Sequence, residues 1–555
     1  MLSSLLALLL TLATLSPPTD AAGGVKGRVL SKLDRTAVQH ARVTVLDGAT
    51  PLVVTQTDAK GNFQALGLPD GQYVLEITAP DLLENRIKVS VSDGRVKNVF
   101  NILLQGVNRV ADDAPDAAFG ASDIFSSLSR YQFHQLRDYP RGQSADSREI
   151  YVAGVRMDEV APLELVNGLE ESMRSHSAFW GPGLSETAFG GSGGAVELEA
   201  TASSFRTGLS SRLLSHGALY ALRGQAAYAS GPLRGGWTVA GEVSAHTRSF
   251  ADLPGQTLAG YLGVDKRFSS QHKLSAALFH TAAPLGFVRY DFTPSSRWSA
   301  YLTALGRFPS ADAASLHLSA ALSWRPMAQL SFSGGLDGRL GTHTLSGSRR
   351  LEGWLRGRGT LGRFGLQAGF RLGERTDSGI PSRYCDVKLG VDYRLGNLLF
   401  SVQSGYFSRE QSPQWQRSLS SDANVSYSGN GVNLRLTGFF LTTLGTSDKL
   451  AGIEMGFKLP VLVIPNVSLQ ALVSAPLYGE APFGPQLVAS AGISWSANAW
   501  FAEADVLHMD KQVSVNLQAG KSWKLKGKYL LGVATGLRKI PIPGYHYLTS
   551  IFFRM

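Results

Sequence analysis

From Gly194 to the end of the chain, apolar and polar residues alternate with a period of two. In one of these runs the apolar residues Val432 and Leu434 interleave with Asn433 and Arg435. Successive side chains of a β-strand point to opposite faces, whereas a helix repeats every 3.6 residues, so the pattern predicts strands. Short breaks rich in glycine, asparagine and serine separate the runs, as turns do. Dividing the region at these breaks predicts about 22 strands, each near the length that crosses a membrane.

The alternating region opens with a glycine-rich stretch, FGGSGGAVELEATASSF, at residues 189–205. Because glycine carries no Cβ, this stretch predicts a flexible passage from a compact element into the first wall strand. In that strand Glu197 and Glu199 are expected to face a polar interior. Val196 and Leu198 are then expected to face outward. The stretch is not a nucleotide-binding loop, because no Gly-Lys-Ser or Gly-Lys-Thr follows its glycines.

Aromatic residues near the ends of many predicted strands help to separate two kinds of all-β protein. A large soluble sandwich or a propeller also alternates. A barrel in a membrane needs, in addition, an apolar outer surface, a polar lumen, aromatic rims and no unpaired edge. The aromatic residues concerned are Trp237, Phe250, Tyr261, Phe268, Trp354, Phe400, Trp495, Trp500 and Trp523. We therefore predict that residues 194–555 form a transmembrane antiparallel β-barrel, closed by YHYLTSIFFRM at residues 545–555.

Composition and charge fit a membrane-embedded barrel better than a soluble or nucleic-acid-binding protein. Only 17% of the 555 residues are charged, against about 25% in soluble domains. The net charge is +10, but the basic residues are scattered singly, and nucleic-acid-binding proteins concentrate them in a patch. The single cysteine, Cys385, excludes an intramolecular disulfide and is expected to be a lone wall residue.

Residues 1–22 have the features of a secretory signal peptide. The apolar run from Leu5 to Leu15 is too short to anchor the chain in a bilayer, and the small residues Ala21 and Ala22 follow it. No lysine or arginine precedes the run, which leaves a buried N-terminal helix as the alternative. No later stretch has about 20 uninterrupted apolar residues, so we predict no transmembrane helix.

Residues 23–105 are predicted to form a small β-sandwich of about seven short strands. Its turns carry the residues that turns favour, at Asp47-Gly48, Lys60-Gly61-Asn62 and Pro69-Asp70-Gly71. The segment TDAKGNFQALGLPDGQYVLEI, at residues 57–77, resembles the carboxypeptidase regulatory-like domain. That resemblance implies a transthyretin-like sandwich without catalytic activity.

Residues 106–193 are predicted to form a short plug ahead of the barrel. They contain YPRGQSADSREIYVAGVRMDEV at residues 139–160. Followed by the glycine-rich stretch, this segment resembles the plug and first barrel strand of TonB-dependent receptors. The matching plug positions are Arg141, Gly142, Tyr151, Gly154 and Asp158, and those of the plug–barrel junction are Gly190, Gly191, Gly193 and Gly194.

The resemblance implies a 22-strand barrel filled by a plug, which takes up a scarce ligand when TonB pulls on a box at the start of the plug. A sandwich domain ahead of the plug is similar to the arrangement in Bacteroidetes members of that family. The chain departs from the family in three respects. Its plug is shortened, its loops are short, and the best candidate for a TonB box is the poorly matching GVNRV at residues 106–110.

Clustered acidic residues and histidines do not predict a metal site. Asp112, Asp113 and Asp116 lack the rest of a calcium-binding loop, so a solvated linker is expected. His272 and His280 share one face of a strand but have no third ligand in register. We expect them to be lumen-facing polar residues.

Basic residues mark the start of the plug, at Arg130, Arg137 and Arg141. They are expected either to pair with Glu197 and Glu199, which would hold the plug in place, or to attract an anionic ligand. The sequence contains no recognisable set of nucleophile, base and orienting acid, so no enzyme activity is expected.

We predict a protein of the Gram-negative outer membrane, similar to TonB-dependent receptors, that takes up a ligand through a plugged barrel. The alternative is a non-transporting barrel that anchors or scaffolds a partner, and the plug disfavours a third reading as a passive porin. The expected partners are outer-membrane lipid, TonB and a periplasmic or surface protein, but no nucleic acid. No cofactor or metal is expected, and the sequence does not predict the ligand.

Overall fold

The structure is a computed structural model in which the chain divides into two compact units, Met1–Val107 and Asn108–Met555. This division lies within two residues of the predicted boundary between sandwich and plug. The predicted signal peptide lies outside the described residues. The structure describes residues 23–31, 37–38, 41–47, 50–58, 60–79, 82–104, 148–157, 169, 172, 175–185, 188–205, 207–216, 221–231, 233–246, 258–269, 271–280, 284–295, 297–310, 313–327, 329–341, 349–377, 380–411, 414–429, 432–446, 449–461, 464, 466–479, 487–497, 500–509, 512–525, 529–539 and 545–554.

The first unit contains two β-sheets. Its strands are β1 (Gly23–Ser31), β2 (Arg42–Asp47), β3 (Thr50–Gln56), β4 (Asn62–Leu68), β5 (Gly71–Ala79), β6 (Leu82–Val91) and β7 (Val96–Leu104). One sheet has the order β4-β1-β7 and the other β3-β2-β5-β6. Residues of both sheets, among them Val25, Val43 and Leu75, are fully buried. The two sheets therefore enclose an apolar core, and the predicted sandwich is confirmed.

Four short strands of the second unit form an inner sheet. They are β8 (Arg148–Val152), β9 (Val155–Met157), β10 (Ser175–Trp180) and β11 (Gly194–Leu198). Their order is β10-β11-β8-β9, with β11 parallel to β8 and antiparallel to β10. A 3₁₀ helix, Ala202–Ser204, follows the sheet. We call the described part of residues 148–205 the plug.

The predicted boundary between plug and barrel, at residue 194, is too early. The segment Gly194–Leu198 alternates like a wall strand, but it pairs with two strands of the inner sheet and is buried along its whole length. Val196 and Leu198 therefore face a protein core and not lipid. Neither Glu197 nor Glu199 lies in a wall strand. A period of two does not distinguish a buried inner strand from a strand of the wall.

The wall is a closed barrel of 22 antiparallel strands among the described residues. They are β12 (Gly208–His216), β13 (Ala221–Ala229), β14 (Trp237–His246), β15 (Leu258–Arg267), β16 (His272–His280), β17 (Leu285–Ser295), β18 (Trp298–Ser310), β19 (Ala313–Met327), β20 (Leu330–Gly341), β21 (Arg349–Leu361), β22 (Phe364–Asp377), β23 (Ile380–Leu395), β24 (Leu398–Gln411), β25 (Gln414–Gly429), β26 (Val432–Leu444), β27 (Lys449–Pro460), β28 (Val467–Tyr478), β29 (Val488–Ala497), β30 (Trp500–Met509), β31 (Gln512–Leu525), β32 (Tyr529–Lys539) and β33 (Tyr545–Arg554). The last strand pairs with both β32 and β12. The predicted strand number and the closing role of the C-terminal strand are confirmed.

Short connections join the wall strands at both ends of the barrel. We call the end at which β12 begins and β33 ends the terminal rim, and the other end the opposite rim. The longest connection at the opposite rim is residues 247–257, between β14 and β15. The longest at the terminal rim is residues 230–236, between β13 and β14. The prediction of short loops is therefore confirmed.

Burial alternates along the wall strands, so that one face meets the plug and the other faces outward. In β15, Ala259, Tyr261 and Asp265 are buried, whereas Leu258 and Leu262 are exposed. A closed wall satisfies its backbone groups internally, and its apolar outer face suits a bilayer. Among the described residues, no helical segment has the length and apolar character of a membrane span.

Aromatic side chains form a belt on the outer face at the terminal rim. Trp298, Trp324 and Phe332 lie on neighbouring strands, with successive ring centroids 5.5 and 5.9 Å apart. Lys266 and Lys521 each lie 4.5 Å from the centroid of a belt tryptophan. The predicted belt residues Trp237, Phe268, Phe400, Trp495, Trp500 and Trp523 are exposed. A belt of this kind marks the level of the lipid headgroups.

Two predicted belt residues face the lumen instead. The Tyr261 hydroxyl donates to the carbonyl oxygen of Ala200 at 3.1 Å, and Nε1 of Trp354 donates to Asp337 at 2.8 Å. Both prefer the lumen because the polar group of each ring finds a buried partner there. Phe250 lies outside the described residues.

The two histidines of β16 lie on the same face, as predicted, but it is the outer face. His272 and His280 occupy even positions, whereas the buried residues Ser275, Ala277 and Phe279 occupy odd ones. The expectation that both histidines face the lumen is therefore wrong. The register of a strand places every second side chain on one face, and this register points the odd positions inward.

Candidate functional site at the interface of plug and wall

A buried ion cluster joins the plug to the wall. Nη1 of Arg371, on β22, donates to Oε2 of Glu149, on β8, at 3.0 Å, and Nη2 lies 2.9 Å from Oε1. Arg371 also donates from Nε to Oδ2 of Asp386, on β23, at 2.9 Å. The Arg371 side chain is fully buried, and a buried charge is stable only with partners of this kind. Arg371 therefore bridges plug and wall.

A second arginine bridge lies beside the first. In this one the arginine belongs to the plug and the acid to the wall. Nη1 of Arg156, on β9, donates to Oε2 of Glu352, on β21, at 2.7 Å. The same guanidinium lies 3.1 Å from Oε1 of Glu149 through Nη2. The Tyr384 hydroxyl also donates to the Glu352 carboxylate, and Arg350 donates to the Arg156 carbonyl oxygen at 3.2 Å. Plug and wall thus each supply both an acid and a base to one connected network.

The surroundings of Glu149 fix its charge. Burial alone raises the pKa of its carboxyl, but Arg156 and Arg371 outweigh burial and hold that pKa below its usual range. The Tyr151 hydroxyl donates to Oε2 of Glu149 at 2.7 Å. Burial, followed by the nearby Glu149 charge, raises the pKa of Tyr151 well above its usual value. At neutral pH the tyrosine is therefore a neutral donor and the glutamate an anion.

The tip of the β8–β9 hairpin is held by strands β17, β18 and β19. Its two turn residues, Ala153 and Gly154, have φ of 50° and 85°, as in a type I′ turn. The Ala153 carbonyl oxygen accepts hydrogen bonds from Arg289 at 2.8 Å and from Thr303 at 3.0 Å, and that of Gly154 accepts one from Ser319 at 3.3 Å. A Cβ on Gly154 would lie 2.8 Å from Nη1 of Arg289. Only glycine therefore fits here without displacing a wall contact.

The glycine-rich segment, residues 181–193, connects β10 to β11 and meets the wall through backbone carbonyls. Nζ of Lys388, on β23, donates to the carbonyl oxygens of Gly183, Phe189 and Gly191 at 3.0, 2.7 and 3.2 Å. The ammonium also lies 5.1 Å from the ring centroid of Phe189, within the range of a cation–π contact. Lys388 is 1% exposed. One buried wall lysine therefore gathers three carbonyl groups of the segment.

Two further wall residues hold the same segment in the same way. Arg356, on β21, donates from Nη1 to the carbonyl oxygens of Ser185 and Ala188, the latter at 3.2 Å. The Ser420 hydroxyl, on β25, donates to the carbonyl oxygen of Ser192 at 3.3 Å. Strands β21, β23 and β25 therefore each donate hydrogen bonds to the backbone of the segment, and Trp354 of β21 also packs against Phe189.

The plug packs against the other side of the barrel through apolar side chains. One continuous cluster joins Ile150, Val152 and Leu198 of the inner sheet to strands β13–β18. Within it Phe205 stacks on Tyr261, with ring centroids 4.8 Å apart. The wall members are Ala227, Ala229, Ala240, Ala259, Tyr261, Ala277, Phe279, Leu285, Phe287 and Leu305. Apolar packing is thus most extensive at β13–β18, where Asp265, Arg289 and Thr303 also form hydrogen bonds with the plug. The contacts at β21–β25 are mostly polar, with a smaller apolar cluster that joins Phe189 to Trp354.

Of the plug positions that the resemblance identified, Tyr151 and Gly154 lie at this interface. Tyr151 belongs to the buried ion network, and Gly154 to the hairpin tip that the wall holds. Arg141, Gly142 and Asp158 lie outside the described residues, as does the rest of the basic start of the plug. Their predicted roles stay predictions.

The four glycines predicted at the plug–barrel junction lie within the plug. Gly190 and Gly194 have φ of 77° and 110°, which other residues rarely adopt. Gly191 and Gly194 exchange backbone hydrogen bonds at 3.0 and 3.3 Å, and the Gly193 carbonyl accepts one from Gly181 at 3.2 Å. These glycines form a tight turn into β11 rather than a flexible passage into the wall.

The charged residues that carry the interface were not identified from the sequence. The available signal was a run of long charged side chains at inward positions of adjacent strands, exemplified by Arg356, Arg371 and Lys388. A second signal was that acidic residues outnumber basic ones over residues 106–207. The pairing of Glu149 with wall Arg371 is the reverse of the predicted one, whereas that of Arg156 with wall Glu352 has the predicted sense, a plug base with a wall acid. In the described part of the chain, no three His, Cys, Asp or Glu side chains are grouped as metal ligands.

A closed 22-strand wall with an apolar outer face and a sheet held in its lumen defines a plugged transmembrane barrel. The carboxypeptidase regulatory-like domain family matches residues 24–105, which confirms the resemblance of the first unit. No curated protein matches the chain in sequence.

Solved structures share the fold of the chain. The copper transporter OprC superposes with a TM-score of 0.55 at 12% identity, covering 75% of this chain and 92% of that one. The FrpB iron transporter from Neisseria meningitidis (F3-3 variant) gives 0.56 at 11%, covering 76% and 96%. The siderophore receptor PirA from Pseudomonas aeruginosa gives 0.54 at 14%, covering 75% and 92%. The fold implied by the resemblance to TonB-dependent receptors is thereby confirmed.

Proposed function

We propose that the protein is an outer-membrane receptor, similar to TonB-dependent receptors, that takes up a ligand through its plugged barrel. The observation that carries the proposal is the bonding between plug and wall. Glu149 and Arg156 of the plug meet wall residues of opposite charge, and Lys388 of the wall meets plug carbonyls. Water can replace polar contacts of this kind when a plug moves. A plug that never moved would be expected to meet the wall through an apolar interface throughout, as permanent protein interfaces do.

The similar structures support uptake as the activity. They are described as transporters of copper and of iron and as a receptor for a siderophore. Uptake of a scarce solute across an outer membrane is the activity that we infer for this chain. The aromatic belt and the short turns of the terminal rim favour a periplasmic position for that rim.

Energised uptake requires contact between TonB and the start of the plug. A photo-crosslinking residue placed in turn at each position of residues 106–122, in living Gram-negative cells, tests this requirement. The proposal predicts an adduct with TonB at a cluster of neighbouring positions. Leu336, on the outer face of β20, is the matched negative control for crosslinking. No adduct at any position, in a barrel shown to be folded by heat-modifiable gel mobility, would contradict the proposal.

A scaffold is the second candidate function, and the short connections between wall strands favour it. No connection at the opposite rim is longer than residues 247–257, so little of the chain is available to enclose a ligand outside the lumen. A scaffold predicts that deleting TonB changes neither the abundance nor the partners of the protein. A TonB adduct in the crosslinking series would argue against it.

A further inference from the structure

The two sides of the plug differ in how much apolar packing attaches them to the wall. On the side of β13–β18, apolar side chains such as Phe205 and Tyr261 pack in one cluster. On the side of β21–β25, the glycine-rich segment is held by Lys388, Arg356 and Ser420 through its own carbonyl oxygens. Separating the first side exposes this large apolar cluster to water and also breaks the hydrogen bonds of Asp265, Arg289 and Thr303. Separating the second side exposes the smaller cluster of Phe189, Ala321 and Trp354 and otherwise exchanges hydrogen bonds for hydrogen bonds with water.

The hydrogen bonds of the segment depend on very few wall residues. Lys388 donates to three carbonyl groups and Arg356 to two more. Two of these five, those of Gly191 and Ala188, also accept from the backbone of the plug. Phe189, whose carbonyl is one of the three, also stacks its ring 4.6 Å from the Arg371 guanidinium. Loss of a single ammonium therefore leaves three buried carbonyl groups without that donor.

We infer that the plug opens on one side only: the glycine-rich segment leaves β21–β25 while the inner sheet stays on β13–β18. Lys388 and Arg356 are the positioning residues that keep this side closed. The inference rests on the proposed function, because it names the place at which the uptake path opens. The path runs between the segment and the wall that carries Arg356, Arg371 and Lys388.

Conductance of the full-length protein in planar lipid bilayers tests the inference. Lys388→Met retains most of the side-chain length but removes one hydrogen-bond donor from each of three buried carbonyl groups. We expect channel openings about tenfold more frequent than in the wild type. Arg356→Met, an independent variant on another strand, is expected to act in the same direction. Lys521→Met, on the outer face over Trp500, is the matched control and is expected to open as rarely as the wild type.

Thiol labelling locates the opening. In a Cys385→Ser background, Ser192→Cys marks the glycine-rich segment and Ser203→Cys marks the plug near β15, where the Ser203 N–H donates to Asp265 at 2.8 Å. Adding Lys388→Met is expected to speed labelling at residue 192 by about tenfold and to leave labelling at residue 203 unchanged.

Two results would overturn the inference. One is wild-type opening frequency in both Lys388→Met and Arg356→Met, with each barrel folded by heat-modifiable mobility. The other is equal acceleration of labelling at residues 192 and 203, because the whole plug then leaves the wall. Conductance of the purified protein needs neither TonB nor ligand. A failure of the uptake proposal in cells is therefore distinguishable from a failure of the one-sided opening.

Discussion

Nη1 of Arg371, in wall strand β22, donates to Oε2 of Glu149, in plug strand β8, at 3.0 Å across 222 residues of sequence. Both side chains are buried. Removing either one would leave the other charge buried with a partner missing, which costs far more than the loss of an exposed pair. The contact therefore makes the buried charge of Glu149, and with it the docking of β8, depend strongly on one wall residue.

Replacing this arginine should loosen the inner sheet. We predict that Arg371→Gln lowers the free energy of local opening of β8 by about 3–5 kcal/mol, because Glu149 and Asp386 lose a buried counter-charge. Hydrogen exchange of the β8 amides measures the effect. The matched control is Arg383→Gln, which breaks an exposed pair with Glu374 at 3.3 Å. A protection loss as large in the control as in Arg371→Gln would contradict the prediction.

Acid should weaken the same contact. The pKa of Glu149 is lower in the folded protein than in the unfolded chain. Its charge therefore stabilises the folded protein fully at pH values above the unfolded pKa, about 4.3. This stabilisation is lost progressively as the pH falls below that unfolded pKa. We predict that protection of the β8 amides is unaffected by this group between pH 5 and pH 8 and declines at lower pH. Glu149→Gln carries no charge to lose and should show a smaller acid-dependent decline. Equal decline in both proteins would show that other groups cause it.

The hairpin tip should tolerate no side chain at its second position. We predict that Gly154→Ala destabilises plug docking by about 2 kcal/mol or more, because the residue has positive φ and the new Cβ would displace Arg289. Gly362, in the turn between β21 and β22, also has positive φ but no atom within 4 Å of the added Cβ. Gly362→Ala therefore measures the backbone cost alone. Equal exchange behaviour of the plug in the two variants would argue against contact of Arg289 with the tip.

A charged residue on the outer face should destabilise the barrel more in the middle of the bilayer than near its surface. Leu336 lies in the middle of β20 and is exposed on the outer face, whereas Leu361 ends β21 at the terminal rim. We predict that Leu336→Arg lowers the unfolding free energy of the barrel in lipid vesicles by about 2–4 kcal/mol, and Leu361→Arg by about 0–1 kcal/mol. Urea titration of each variant measures both values. A smaller cost at residue 336 than at residue 361 would contradict the assignment of the lipid-facing surface.

Alternation predicted the wall because it reports which side chains share a face, and a barrel of this size repeats that arrangement in every strand. The alternation gave a wrong prediction where an inner strand and a wall strand have the same alternating pattern. Gly194–Leu198 alternates as a wall strand does, yet it lies in the inner sheet. Tyr261 and Trp354 carry the ring types of a belt, but hydrogen bonds inside the lumen decide their direction.

The interface was beyond prediction because its partners are distant in sequence. Lys388 contacts the carbonyl of Phe189, 199 residues away, and carbonyl groups carry no sequence signature. The positions supplied by resemblance, Tyr151 and Gly154, were located because that motif is local. Which basic residue pairs with which acidic residue depends on the register of the strands. That register is determined by the pairing of all the wall strands and cannot be read from one segment of the sequence.

The most direct test of energised uptake follows the glycine-rich segment in living cells. In the Cys385→Ser background, the rate at which a membrane-impermeant thiol reagent labels Ser192→Cys is measured in energised cells, in cells treated with an uncoupler and in cells without TonB. Energised opening on this side predicts fast labelling in the first and slow labelling in the other two. The same rate in all three, with the barrel folded and present in equal amount, would contradict transport and leave the scaffold as the better account of the protein.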